Sequence, residues 1–519
     1  MDQYPSGGNH QQYNQGYQPS GSRQTSLSQA QRQARLRRKH EILRRRHRRK
    51  QLFAAFLAIL IIIGLFFGIK AITKDDVIEE EGLDMADFEI DEETEEAMYT
   101  GGPLVNISFV GDVSCSAAQV ADVLRSDGTY DFSVPFAPVA EFFEYSDYSV
   151  ANFETNMVDG QSYGMEPYYN APVQLAGMLR RLGVRLVSTA NTYALNNGIE
   201  GVISTKQKLT DSQLKVVGTY ASQEDRDQHS GCYIRNLHKI KFAFLSYTKG
   251  TDSVRMPEGC EYALNTLYED YADYWTELND DQIKADIQYA KDAGAEVIVC
   301  LLHWGSEYGR SVSDSQKEIK DMLLQNGVDV IIGTHSHIIN EMGFETVTMP
   351  DGSVKECFVA YGIGDFYTDP EQDTAKESLI LNLEFERDDD GKVSITDANY
   401  YPIYQNITVD EDGQKHFEVQ DVYGEIARIF RKDTITSEDA EYFNTLLACL
   451  DSIHTYAPEE LDGGPKGEDM RIVEKALEHD DFTWEEIKVL KNEEQAAIDA
   501  ANSTPTPIPS LPVEEDTEE

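Results

Sequence analysis

One alternation recurs through the middle of the chain. A segment of helical periodicity ends in glycine and a short aliphatic run follows at once: MLRRLG then VRLVST, YAKDAG then AEVIVCLL, MLLQNG then VDVIIG. Glycine there supplies the left-handed residue that closes a helix. Near-continuous Val/Ile/Leu runs suit strands covered on both faces. Further strands are expected at VNISFVG, YSVANFE, KIKFAFLSY and CFVAYGI, and SLILNLEFERDDDGKVSITDANYYPI reads as a hairpin turning at Asp-Asp-Gly. Together these predict an α/β domain over residues 104–408. Residues 409–501 read as an acidic helical extension, and 502–519, rich in Pro and Glu, as a disordered tail.

The N-terminal pattern is of another kind. Residues 52–69, LFAAFLAILIIIGLFFGI, form an uncharged, almost wholly apolar run of eighteen with no polar face. That length predicts a membrane span, a signal anchor within 51–72. Residues 1–50 are Gln/Gly/Ser-rich and then strongly basic, with twelve Lys or Arg against two acids. No small-residue cleavage pattern follows the apolar run, which argues against a removed signal peptide.

Charge then sets the orientation. The chain carries −47 overall; the first fifty residues are at +10, so the rest is at −57. A basic flank before the span predicts a disordered cytoplasmic tail, an extracytoplasmic main domain and a single-pass cell-membrane protein. Beside a span, the basic run is better suited to anionic lipid headgroups than to nucleic acid. Residues 75–96 hold thirteen acids and no base, so 73–103 reads as an extended acidic spacer. Nucleic acid is not an expected partner of so acidic an outer region. The six cysteines, at 115, 232, 260, 300, 357 and 449, show no CxxC spacing; disulfides and buried free thiols both stay open.

Candidate chemistry stands at the strand ends. VNISFVGD ends at Asp112, YSVANFE at Glu154, VIVCLLH at His303, and VIIGTHSH at His335 and His337. An α/β sheet gathers such ends at one edge. Carboxylates with imidazoles are the ligand set of Zn, Mn or Fe. Singly, Asp112 could close a turn, Glu154 could cap or salt-bridge, and His303 could be a satisfied core histidine. His-Ser-His is more specific, because strand alternation would send both imidazoles the same way.

The motifs FVGDV, ANFET, ANTYALNNG, LLHWGSEY, SQKEIKDMLLQNGVDVIIGTHSHIINEM and YGIGDF, in this order over residues 107–366, resemble those of the CapA family. These are poly-γ-glutamate capsule synthesis proteins related to calcineurin-like metallophosphoesterases. The resemblance implies a layered β-sandwich flanked by helices and one or two divalent ions held by Asp112, Glu154, His303, His335 and His337. Glu307 and Glu341 also fall at family positions. Where the family reads Ala-Asn-Asn-His-Ala-Leu-Asp-Tyr-Gly, this chain has Thr192 for the second Asn, a metal ligand in the related phosphoesterases. Tyr193 stands for the His that serves them as proton donor, and Asn196 for the Asp. The family's Gly-Asn-Phe reads Gly364-Asp365-Phe366.

Asn191, Thr192 and Tyr193 are therefore the candidate catalytic residues, and Arg310, Glu307 and Asp365 the candidate substrate-binding ones, with Lys249 a further anion candidate. Two functions of different class are expected from this pattern. One is a membrane-anchored, metal-dependent hydrolase acting on a phosphoester or anionic polymer of the capsule or envelope, its chemistry altered by the loop substitutions, and working with membrane partners of capsule synthesis. The other is a non-catalytic surface protein that binds or anchors such a polymer or a protein partner.

Overall fold

The computed structural model describes residues 104–457, apart from 167 and 229, together with 462, 463 and 489. The expectations for the basic tail 1–50, the span at 51–72, the spacer 73–103 and the tail 502–519 lie outside the described residues. Among the described residues no helix is long and apolar enough to cross a membrane.

The expected strands form, and β4 and β5 form beside them without having been anticipated: β1 Leu104–Val113, β2 Tyr148–Phe153, β3 Val184–Ser188, β4 Lys215–Val217, β5 Tyr233–Leu237, β6 Ile240–Thr248, β7 Val297–His303 and β8 Val330–Thr334. They are followed by β9 Met342–Thr348, β10 Val354–Ala360, β11 Asp365–Tyr367, β12 Glu377–Arg387, β13 Val393–Val409 and β14 Lys415–Asp421. One sheet runs β14-β13-β12-β1-β2-β3-β4, with β11 beside the end of β1; the other runs β5-β6-β7-β8-β10-β9. In the first, β1 to β4 are parallel; in the second, β6, β7, β8 and β10 are.

Period-2 alternation sorts each strand's residues between two faces. In β7, Val297, Val299 and Leu301 join a core shared by both sheets, with Ile107, Phe109, Val150, Phe242, Val330 and Ile332. Ile298, Cys300 and Leu302 point the other way, towards Ile283 and Ile287 of α4 (Asp280–Asp292) and Ile319 and Leu323 of α5 (Asp314–Gln325). The outer face of the first sheet is covered by α1 (Ala117–Val123) and α2 (Gln174–Leu182), the latter burying Leu175, Leu179 and Leu182. Gly183, at φ +121°, closes α2 as the sequence pattern anticipates. A further helix, α3 (Gly198–Asp211), leads into β4. The result is a layered α/β architecture, two sheets face to face between helices.

Two expectations need correction. The sheet does not end at 408, because β13 pairs with β14 down to Ile403↔Asp421. The helical segment begins only with α6 (Val422–Arg431) and α7 (Ser437–Tyr456). Nor does it stand apart, since Ile426, Ile429, Phe430, Phe443, Leu446, Leu450 and Ile453 join the same core as the sheets. All six cysteines are free, and all but Cys260 are buried.

Candidate metal centre

The inter-sheet face of each central strand ends in polar groups. Val299 and Leu301 lead to His303, Ile332 leads to Thr334, and Val150 leads to Asn152 and Glu154. Asp112 breaks the phase, since Ile107 and Phe109 face the core and simple alternation would put residue 111 there. A bulge between Val110 and Asp112 resets it, pairing Val110 with Ala151 but Asp112 with Asn152. One extra residue moves every later side chain to the other face. Gly111 is the residue passed over, and a Cβ there would lie 1.7 Å from the carbonyl oxygen of Gly364. Because the loop comes so close, β11 pairs with β1 at Asp112↔Asp365.

Asp112 and Glu154 are 0 % and 2 % exposed. Asp112 Oδ1 accepts from Asn152 Nδ2 at 2.6 Å and Oδ2 from the His335 backbone N–H at 3.2 Å. Glu154 Oε1 lies 3.1 Å from His303 Nε2. Burial, then the charge of Glu154, pushes Asp112 up to about 7. Burial likewise pushes Glu154 up to about 8. Burial lowers His303 to about 4 and holds His335 well below the usual imidazole range. His337 is the exception: burial opposes its charge, yet Asp365, Glu154 and Asp112 together hold it well above that range.

The two last histidines are not set by strand alternation. β8 stops at Thr334, and His335 (φ +82°) and His337 (φ +58°) both have left-handed backbone. The turn brings the His335 ring 4.6 Å from that of His303 and 6.4 Å from that of His337. Ligand atoms of Glu154, His303 and His335 all lie within 4.8 Å of one another, and so do those of Asp112, Glu154 and His337. Glu154 belongs to both groups.

The set fits a divalent cation. It joins buried carboxylates, whose charge needs compensation, to two imidazoles, His303 and His335, that burial keeps neutral and so able to ligate, and to His337, whose charge a bound cation would replace in answering those carboxylates. Asn152 Oδ1 is also buried with no hydrogen-bond partner, a further oxygen for an ion or its water.

The loop after β3 supplies one side of the centre. Thr192 Oγ1 lies 3.0 Å from His303 Nε2 and 3.5 Å from His335 Nδ1, among the ligand atoms. Asn191 faces elsewhere: its Nδ2 donates to the Phe153 carbonyl at 2.8 Å and its Oδ1 accepts the Tyr193 N–H at 3.2 Å. It ties the loop to the end of β2. Tyr193 stacks on Tyr169, ring centroids 3.9 Å apart and planes at 21°. Burial, then the charge of Glu154, drives its phenol far above the ordinary value, so it is a hydrogen-bond donor and a poor acid. Asn196 adds nothing to the ligand set; its Oδ1 is buried and unpaired.

Of the expected substrate groups, Asp365 is inside the centre, its Oδ1 2.9 Å from His337 Nδ1 and its Oδ2 accepting from Thr368 Oγ1 at 2.7 Å. Glu307 is exposed at the mouth, where its charge bears on Glu154 and His303. Arg310 is engaged by the protein itself. Its Nη1 donates to the Ile339 carbonyl at 3.0 Å, its Nη2 lies 3.6 Å from Glu377 Oε2, and its guanidinium stacks 4.9 Å over Tyr456. Those contacts commit it to the protein. Lys249 does stand near, its Nζ donating to the Gly305 carbonyl at 2.8 Å and lying 4.0 Å over Trp275. Its charge reaches His335. Glu341 is exposed, its carbonyl accepting from the Tyr361 N–H.

Sequence reasoning passed over Asn152, Thr334, Tyr169 and Tyr308. Asn152 was within reach, two residues before Glu154 and so on the same face. Thr334, which bonds His303 Nδ1 at 3.1 Å, follows Ile332 in the same way. Tyr169 and Tyr308, the latter with its ring 5.5 Å from that of His337, carry no local signal.

Comparison with known proteins agrees with the motifs. Residues 106–370 match the model of the family described as bacterial capsule synthesis protein PGA_cap, and the chain belongs to that family. It is 21 % identical over 313 residues to the "PGA biosynthesis protein CapA" of Bacillus subtilis (strain 168), covering 59 % of this chain and 74 % of that one. It is 21 % identical over 285 residues to the "Capsule biosynthesis protein CapA" of Bacillus anthracis, spanning 53 % of this chain and 63 % of that protein. Among solved structures, the calcineurin-like phosphoesterase YfkN of B. subtilis aligns over 68 % of this chain and 98 % of its own, at 12 % identity and a TM-score of 0.32.

Proposed function

We propose that this chain is a membrane-anchored, extracytoplasmic protein of capsule or cell-envelope polymer synthesis, whose centre holds one or two divalent ions (Mn, Zn or Fe) and acts on a phosphoester or anionic polymer. The observation that carries the reading is the convergence of five ligand-type side chains from four strand ends, with Glu154 common to both ligand groups. The named roles of the Bacillus relatives support the biological half. The apolar run at 52–69 with its basic flank supports the anchor.

A divalent ion bound there would supply Lewis acidity and an activated water. Asp112, Glu154, His303, His335 and His337 would hold it, and Thr192 adds a weak hydroxyl donor. Lys249 faces the mouth with a positive charge suited to an anionic group, its ammonium fixed by Gly305 and Trp275. Tyr193 can donate a hydrogen bond to a substrate oxygen. It is badly matched to protonating a leaving group near neutral pH.

That last point favours the second reading, a non-catalytic surface protein that uses the same centre to bind or anchor an envelope polymer or partner. Elemental analysis of the purified full-length protein, with a phosphodiester assay in added Mn²⁺ or Zn²⁺, tests both. Stoichiometric metal lost in His335→Ala supports the centre; metal content unchanged by that substitution sinks it. Metal with turnover only in the double variant Thr192→Asn/Tyr193→His decides for the binding reading.

A further inference from the structure

The family match ends at residue 370, yet the loops bearing the histidines are fastened to what lies beyond it. The loop 304–310 follows His303, and the loop 335–341 contains His335 and His337. They are joined by the Tyr308 N–H donating to the Ser336 carbonyl at 2.8 Å and Asn340 Nδ2 donating to the Gly309 carbonyl at 2.8 Å. Arg310 crosses the same seam, its Nη1 on the Ile339 carbonyl. The other side of its guanidinium meets Glu377 at the start of β12 and the ring of Tyr456 at the end of α7. Ser452 of that helix also favours the charged form of Glu377, against its burial. A planar fork with five donors can hold a carbonyl, a carboxylate and an aromatic face at once, which an ammonium cannot.

We propose that Arg310 is a positioning residue through which α7 holds the two histidine loops in register, so that the C-terminal helices are a working part of the centre. The proposal rests on the metal reading for its consequence but not for its geometry. Left-handed backbone at His335 and His337 is strained without surrounding contacts that fix it. Arg310 supplies such a contact from the neighbouring loop, and its cover by Tyr456 comes from the far end of the chain's described helices. Removing that cover frees the seam, and loops lacking buried contacts open more often.

The test uses the full-length protein and the variants Tyr456→Ala, Tyr456→Phe and Arg310→Lys. Amide hydrogen exchange is followed in peptides covering 304–310 and 335–341, with the β5–β6 hairpin as internal reference. Mn²⁺ affinity is measured by calorimetry. Tyr456→Ala and Arg310→Lys should each speed exchange in both loops about tenfold, leave the hairpin unchanged, and weaken Mn²⁺ binding about tenfold. Tyr456→Phe, which keeps the ring, should retain wild-type exchange and affinity. Unchanged loop exchange in Tyr456→Ala overturns the proposal. So does equal acceleration of loops and hairpin, which marks a general loss of stability, or a Tyr456→Phe variant as impaired as Tyr456→Ala. If the wild-type protein takes up no Mn²⁺, the metal reading fails, and the exchange data alone judge the clamp.

Discussion

Asp365 Oδ1 lies 2.9 Å from Nδ1 of His337, and the same residue is register partner to Asp112 across β11 and β1. The acid thus orients the ring and fixes which imidazole nitrogen is left to face the centre. Asp365→Asn keeps an acceptor but removes the charge. The metal-free variant should show a His337 ring titrating at lower pH than wild type by NMR. Its Mn²⁺ affinity should fall about tenfold, and by up to about 100-fold in Asp365→Ala. An unmoved His337 titration would contradict the assigned partner.

The paired carboxylates predict how the metal-free protein responds to pH. Asp112 and Glu154 are raised to about 7 and about 8, against about 4 in an unfolded chain. Over the interval between, the folded state holds protons that the unfolded state has released, so this contribution to stability is full at acid pH and is lost as pH rises. Urea midpoints of the metal-free protein at pH 5, 6, 7 and 8 should decline more steeply for wild type than for Glu154→Gln. Added Mn²⁺ should stabilise most at pH 8, where, of the four pH values, protons compete least for the two ligands.

Gly111 is demanded by space. A Cβ placed 1.7 Å from the Gly364 carbonyl oxygen must push the 361–365 loop away from β1. Gly111→Ala should cost roughly 1–3 kcal/mol in chemical denaturation. It should also weaken Mn²⁺ binding, because Asp112 and Asp365 sit on the two sides of that contact.

A polar network remote from the centre should report on stability alone. The Asp286 side chain is fully buried, its Oδ2 2.7 Å from Arg226 Nη2 and 2.9 Å from Tyr247 Oη. Asp286→Ala would leave a largely buried guanidinium unpaired, at a cost of about 3–5 kcal/mol. Calorimetric Mn²⁺ affinity measured well below the lowered melting temperature should match wild type.

The loop substitutions carry a prediction of their own. Tyr193→Phe removes a hydroxyl whose proton is held tightly, so any phosphodiesterase activity of the protein should keep the same pH profile. A profile that loses its alkaline limb would instead assign Tyr193 as an acid.

Much of this was written locally. The aliphatic runs, their Gly-capped helices and the Asp-Asp-Gly hairpin follow from periodicity and turn chemistry, and each formed within a few residues of its expected place. Glu154 and His303 were legible too, because each ends a strand whose alternation the sequence displays. The domain boundary at 408 was not, because an acidic segment gives no sign that its helices bury Phe430, Phe443 and Leu450 against distant strands. The partners of Arg310 were hidden for a related reason: proximity in sequence to His303 says nothing about Glu377 and Tyr456.

The sequence by itself determined which residue types stand at which strand ends, and with them the chemistry on offer, since strand formation and alternation are short-range properties of the backbone. Only the tertiary structure decided how those groups meet. The bulge at Gly111 turns Asp112 into the inter-sheet face because the Gly364 loop presses on that point. Left-handed turns, not alternation, aim His335 and His337. Tyr193 becomes a stacked, weakly acidic phenol because burial and then the charge of Glu154 hold its proton, while Tyr169 stacks on its ring. Register and side-chain direction at strand ends are set by neighbours far away in the chain, and no local pattern encodes them.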